Sequence, residues 1–259
     1  MYPFYFGDPD KPLFGIYSPA NPAHDKQKGL LICPASFQEY MRSHRLLKQL
    51  AVSLSGQGIH VLRFDYSGCG DSAGTWENTS IDDWVKDISV AATELKDLAM
   101  IDSLYFLGVR LGASLLPRAD LESIPSNRFM LWDPILDGEQ YLESLMQLQV
   151  KLVNDKLRFK VSRSSYLDEH DELELAGYPV SGKTKSQLAQ INISDIKWRD
   201  KQVLLLFSHN KEAYLDFAKR NEGVELKSLS LQCNWESLGH LESQVQVPEL
   251  ATIVKDFMI

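Results

Sequence analysis

The chain has few cysteines, no long apolar run and no excess of positive charge, and each shortage excludes something. Its three cysteines, Cys33, Cys69 and Cys233, are widely spaced and form no C-x-x-C pair. An odd, scattered set fits a reduced compartment better than a disulfide framework, and it offers no zinc site. No stretch approaches the roughly 20 apolar residues that a membrane helix needs. With 27 Lys and Arg against 35 Asp and Glu, the net charge is −8. Nucleic acid and anionic membrane both call for a basic face, so neither is expected as a main partner. The first residues, MYPFYFGDPDKP, lack the basic start and apolar stretch of a signal peptide. A cytoplasmic protein is expected. Internal repeats and low-complexity tracts are also missing.

What is present is a core. Apolar residues make up 44% of the 259 residues, which suffices for one large α/β domain or two small ones. Strands are expected at 2–6, 12–17, 29–33, 60–66, 103–109, 129–132, 202–208 and 225–231. From the third onward they are near-continuous apolar runs such as GLLIC, SLYFLGV and QVLLLF, the pattern of strands buried on both faces. Between them, TSIDDWVKDISVAATELKDLA places Ile81, Trp84, Val85, Ile88, Ala92, Leu95 and Leu98 on one helical stripe. Ser80 and Asp83 stand at capping-box spacing before it. Further helices are expected at about 43–55, before the turn GQG, at 211–220 and at 248–258. Two strands followed by strict alternation of strand and helix point to a parallel sheet covered on both faces. Residues 134–200 break the pattern, since no strong buried strand is visible there. A stretch of that length is better read as a folded excursion than as a bare loop. It is expected to be a mainly helical cap, with a helix over 141–157.

Three strings carry a resemblance. FDYSGCGDSAG (64–74) is similar to the F-D-x-x-G-x-G-x-S-x-G loop after the fourth strand of many α/β-hydrolases. GVRLGA (108–113) falls where their nucleophile elbow, G-x-S-x-G, belongs, and LGHLESQVQVPEL (238–250) resembles their histidine loop. The resemblance implies the α/β-hydrolase fold: an eight-stranded, mostly parallel sheet flanked by helices, with a helical cap inserted after strand 6. Residues 1–133 and 201–259 would form the core and 134–200 the cap or lid. More narrowly, GVRLGA and LWDP (131–134) resemble the G-x-R-x-G-A and L-W-x-P of exosortase A system-associated hydrolases, and PASFQEYMRSHR (34–45) is loosely similar to their loop after the third strand. That group belongs to bacterial exopolysaccharide clusters.

Acyl transfer on this fold needs a hydroxyl nucleophile, a histidine base, an acid and an oxyanion hole. The elbow position here holds Arg110, and a guanidinium stays protonated and cannot attack a carbonyl. The resemblance makes His240 the candidate base, with His209 a rival by chain position. Asp133, after strand 6, and Glu212, after strand 7, are the candidate acids. No nucleophile is identified: Ser114 should point along its helix, Cys69 lies in a structural turn, and Ser36 belongs to the loop after strand 3. A cation at a helix N-terminus is locally unfavourable. Arg110 should therefore pair with a carboxylate, Glu39 before Asp133 or Glu212, or hold an anionic small molecule. Ser36, Phe37, Val109 and Leu111 are the expected neighbours in the pocket. No cofactor or metal is implied. Two readings stand: a catalytically degenerate protein with a binding or accessory role in exopolysaccharide biosynthesis, and an active hydrolase or acyl-transfer enzyme with a non-standard nucleophile.

Overall fold

The computed structural model describes all residues except 26, 102, 123, 125–127, 155–173, 195, 197, 199–200, 210, 231–232, 236–246 and 259. The strands are β1 (Tyr2–Phe6), β2 (Leu13–Ser18), β3 (Lys28–Cys33), β4 (His60–Phe64), β5 (Ser103–Val109) and β6 (Arg128–Trp132), then β9 (Gln202–Phe207) and β10 (Val224–Ser228). They form one eight-stranded sheet in the order β1-β2-β4-β3-β5-β6-β9-β10. β1 and β2 pair antiparallel with each other, and β2 pairs antiparallel with β4. Every other pairing in this sheet is parallel. Leu30, Leu31 and Ile32 of β3, and Leu205 and Leu206 of β9, are fully buried. The apolar runs thus report strands covered on both faces.

Alternation along the strands divides the core into two layers. Leu30, Ile32, Val109 and Trp132 pack with α1 (Phe37–Gly56) and α7 (Val247–Phe257). Leu31, Cys33, Phe106 and Leu131 pack with α2 (Ile81–Ala99), α3 (Leu111–Leu115) and α6 (Lys211–Arg220). The α2 start uses its expected polar pair: the Asp83 carboxylate accepts from Ser80 N at 3.0 Å and Ser80 Oγ at 2.6 Å. Its stripe is shorter than expected, because Leu98 is 42% exposed in the last turn. Asp87, absent from the apolar pattern, is buried instead.

One expectation needs correction. Helix α1 starts at Phe37, six residues before the expected start at 43. Its first two turns bury Phe37, Glu39, Arg42 and Ser43, so polar side chains hold the buried face and the apolar period is hidden. The stretch 134–200 contains α4 (Gly138–Val153) and α5 (Gly182–Ala189), and also a small hairpin, β7 (Glu174–Leu175) with β8 (Tyr178–Pro179). Ala176 and Gly177 turn it with φ of +52° and +84°, the backbone of a two-residue hairpin loop. Strands of two residues are too short to show any alternation in sequence. Among the described residues no helix is long and apolar enough to cross a membrane.

Candidate functional site

The residues of interest gather at the carboxyl ends of the parallel strands, where open α/β sheets place their ligand crevices. Three non-glycine residues there have positive φ: Phe37 after β3 (+56°), Arg110 after β5 (+53°) and Asp133 after β6 (+44°). Such conformations persist only where surrounding structure holds them, and they gather at functional sites. At Arg110 the holding bonds are Arg110 N to Trp132 O at 2.9 Å and Ala113 N to Arg110 O at 3.0 Å. The flanking glycines have a packing reason. A Cβ on Gly108 would meet Ala113 Cα at 2.3 Å, and one on Gly112 would meet the carbonyl oxygens of Cys33 and Pro34 at 2.4 Å. The strand–turn–helix unit is pressed against β3, and only glycine fits at either position.

The Arg110 guanidinium is engaged on several sides. Its Nε donates to Glu39 Oε1 at 2.9 Å, and Nη1 donates to the carbonyl oxygen of Asp133 at 3.0 Å. Its terminal carbon lies 5.8 Å from the ring centre of Tyr141 and 5.3 Å from that of Trp235. Tyr141 Oη donates to the other Glu39 oxygen at 3.1 Å. One buried ion pair therefore ties α1, the β5–α3 turn, the end of β6 and cap helix α4 together. Burial opposes the charge on Arg110, but Glu39 foremost, then Tyr214, Tyr141 and Asp133, outweigh it and raise its pKa. Burial and the Glu39 carboxylate likewise hold the Tyr141 phenol well above its ordinary value.

Asp133 contributes its backbone to Arg110 and its carboxylate elsewhere. It is fully buried and accepts from Ser208 N at 2.9 Å, from Ser208 Oγ and from Trp235 Nε1 at 2.8 Å. His209 Nδ1 stands 3.3 Å from Asp133 Oδ1, without the alignment of a hydrogen bond. Burial alone would raise the Asp133 pKa, yet His209 and the Ser208 donors lower it. Glu212 sits exposed in the first turn of α6, outside the groups that surround Arg110. His240 lies outside the described residues. Val109 and Leu111, expected in the pocket, are core residues. Strand alternation sends Val109 to the α1–α7 layer, and Leu111 packs in the α2–α3 layer.

One cavity borders this cluster and another borders the turn after β3. One, of about 60 Å³, touches Glu39, Arg110, Tyr141, Lys151 and Trp235; it has room for a few waters and not for a small-molecule substrate. The other, of about 180 Å³, runs under the cap hairpin between Ser36, Phe37, Tyr66, Cys69, Trp76 and Tyr178. The hydroxyls of Ser36 and Tyr66 are buried there without hydrogen-bond partners. Ser114 is ruled out as a nucleophile, since its Oγ donates to Ile135 O and accepts from Ile135 N, both at 2.8 Å. Burial holds the Cys69 thiol well above its ordinary pKa and pushes Cys233 up to about 11. Among the described residues no serine, threonine or cysteine hydrogen-bonds to a histidine, and no group of three or more His, Cys, Asp or Glu can hold a metal ion. Sequence reading missed Tyr141, Trp235 and Ser208 as parts of the cluster. Nothing distinguishes the two aromatics from ordinary core residues before the chain folds.

No family model and no curated protein sequence matches the chain. Solved structures match nearly all of it. GrgF, an α/β-hydrolase from Penicillium sp. sh18, superposes with a TM-score of 0.67 at 18% identity, covering 99% of this chain and 97% of its own. Est1E from Butyrivibrio proteoclasticus, solved with ferulic acid bound, gives 0.65 at 18% identity, over 98% and 97% of the two chains. The α/β-hydrolase domain-containing protein 10 from mouse gives 0.62 at 14% identity, over 100% and 98%. The chain has the α/β-hydrolase fold, and at these identities the likeness extends to the fold alone.

Proposed function

We propose that this α/β-hydrolase-fold chain does not perform serine hydrolysis and acts by binding. The observation that carries the reading is Arg110 on the strained turn after β5, with its Nε held 2.9 Å from Glu39. On this fold such a turn lifts one side chain over the sheet as the nucleophile. A permanently protonated guanidinium cannot serve, and here it is spent on an internal ion pair. The Asp133 carboxylate, already taken by Ser208 and Trp235, is better explained as a joint between β6 and β9 than as a catalytic acid. For the ligand, the cavity under the cap hairpin offers aromatic walls and two unpartnered hydroxyls, a suitable lining for a small molecule with one or two polar groups. An accessory role in bacterial exopolysaccharide biosynthesis is the finer part of the proposal. It rests on the strings GVRLGA and LWDP.

The test is turnover of p-nitrophenyl acetate and butyrate by the pure chain. No release above buffer is expected, from the wild type or from His240→Ala. Release that His240→Ala abolishes would overturn the proposal in favour of an acyl-transfer enzyme with another nucleophile. Ser36, with its buried and unpartnered Oγ, would then be the first residue to substitute.

A further inference from the structure

β4 reads HVLRF, and a charged residue inside a buried strand needs a reason. Arg63 is 7% exposed. By register it stands level with Ile16 of β2 and Ile32 of β3. Its Nε and Nη2 are both buried and have no hydrogen-bond partner. Among the described residues no carboxylate pairs with it. The nearby Asp65 is committed elsewhere: Oδ1 accepts from Tyr40 Oη at 2.6 Å and Oδ2 from Asp71 N at 3.1 Å. Burial lowers the Arg63 pKa against the pull of Tyr40 and Asp65, but a guanidinium remains charged at any working pH. A buried cation without a partner is costly, and native structures seldom keep one without a use.

Arg63 lines a cavity of about 390 Å³, inside the range of small-molecule sites. Phe14, Ile16, Ile32, Leu47 and Phe64 give it apolar walls. Tyr40, His44, Asp65 and Asp71 give it a polar side. Burial, then the neighbouring Arg63, hold the His44 pKa below its ordinary value, so the imidazole is neutral near pH 7. Arg63 is thus the cationic group of this lining. A planar guanidinium carries paired, parallel donors that match the two oxygens of a carboxylate. A phosphate dianion would bring more charge toward Asp65 and Asp71, and it has no use for apolar walls.

We propose that this cavity binds a small monocarboxylate with an apolar body, its charge met by the guanidinium of Arg63. None of its lining residues belongs to the Arg110 cluster, so the site stands or falls apart from the reading of Arg110.

The test is titration calorimetry and thermal unfolding of the whole chain with benzoate and hexanoate, against benzamide and inorganic phosphate. Saturable carboxylate binding is expected at or below about 10 mM, with benzamide and phosphate at least about tenfold weaker. Arg63→Met should abolish binding and leave the ligand-free Tm unchanged or higher, because it relieves a buried charge and breaks no ion pair among the described residues. Arg63→Lys should weaken binding by about tenfold, since it keeps the charge and loses the planar fork of donors. Arg118→Gln, at an exposed pair with Asp82, should bind as the wild type does. The proposal is overturned by wild type that fails to saturate, by phosphate binding as tightly as benzoate, or by full binding in Arg63→Met. Should Arg63→Met not fold, Arg63→Lys decides: undiminished carboxylate binding overturns the site.

Discussion

At the scale of single residues, Arg110 and Glu39 form the tightest dependence in the site. Their side chains are 11% and 8% exposed, and Glu39 has a second donor in Tyr141. Removing one partner leaves the other charge buried, which costs about 3–5 kcal/mol. Arg110→Ser, which writes G-x-S-x-G into the chain, should therefore lose about that much in urea unfolding. It should also release no p-nitrophenol, because the Asp133 carboxylate is already taken. The double variant with Glu39→Gln should recover part of the loss, and simple addition of the two single effects would show that the pair is not coupled. Arg110 and its carboxylate partner were legible in the sequence from position alone: a glycine turn after the fifth strand, and an acidic residue in the loop after the third. The aromatic rings that enclose them were not, since Tyr141 and Trp235 meet Arg110 only through the tertiary fold.

At the scale of elements, the cap is fastened to the core through a borrowed helix cap. Ile81 N, at the start of α2, donates to Gln187 Oε1 of α5 at 3.0 Å, and Gln187 Nε2 donates to Asp82 Oδ2 at 2.6 Å. Thr184 Oγ1 adds a bond to Thr79 O at 2.8 Å. Helix starts leave N–H groups unpaired, and losing a side-chain acceptor there costs about 1 kcal/mol. Gln187→Ala should lower stability by about that amount. In hydrogen exchange it should speed the amides of α5 and the α2 start while β5 and β6 hold their protection. Unchanged exchange in α5 would mean that Gln187 does not hold the cap down. Elements were legible where apolar residues repeat over several turns or a whole strand, as in α2 and β3. They were obscured where polar residues face inward, as in the first turns of α1, or where strands are two residues long, as in the cap hairpin.

At the scale of the whole molecule, a mostly parallel sheet covered on both faces followed from the alternation of elements. The pH response did not, because it depends on how deeply each carboxylate ends up. Asp87 stands outside the apolar stripe read for α2, yet it is 7% exposed. It accepts from Ser67 N at 2.7 Å and Ser67 Oγ at 2.9 Å. Burial outweighs those donors and pushes its pKa from the ordinary 3.8 up to about 6. A carboxyl that holds its proton more tightly when folded favours the fold at low pH, and that advantage fades as pH rises from about 4 through about 6. From 3.8 to about 6, at about 1.4 kcal/mol per pH unit, the change amounts to about 3 kcal/mol. Asp133 acts in the opposite sense, and its lowered pKa places its loss of stabilisation below the ordinary carboxylate value. The two windows are therefore separate. Urea unfolding of wild type and Asp87→Asn at pH 4, 5, 6 and 7 isolates Asp87 from Asp133, which is present in both. Asp87→Asn should gain on the wild type from pH 4 to pH 6 and level off toward pH 7, by up to about 3 kcal/mol. Parallel curves would mean that Asp87 is ionised in the fold at the same pH as in the unfolded chain, and that the Ser67 donors fully offset its burial.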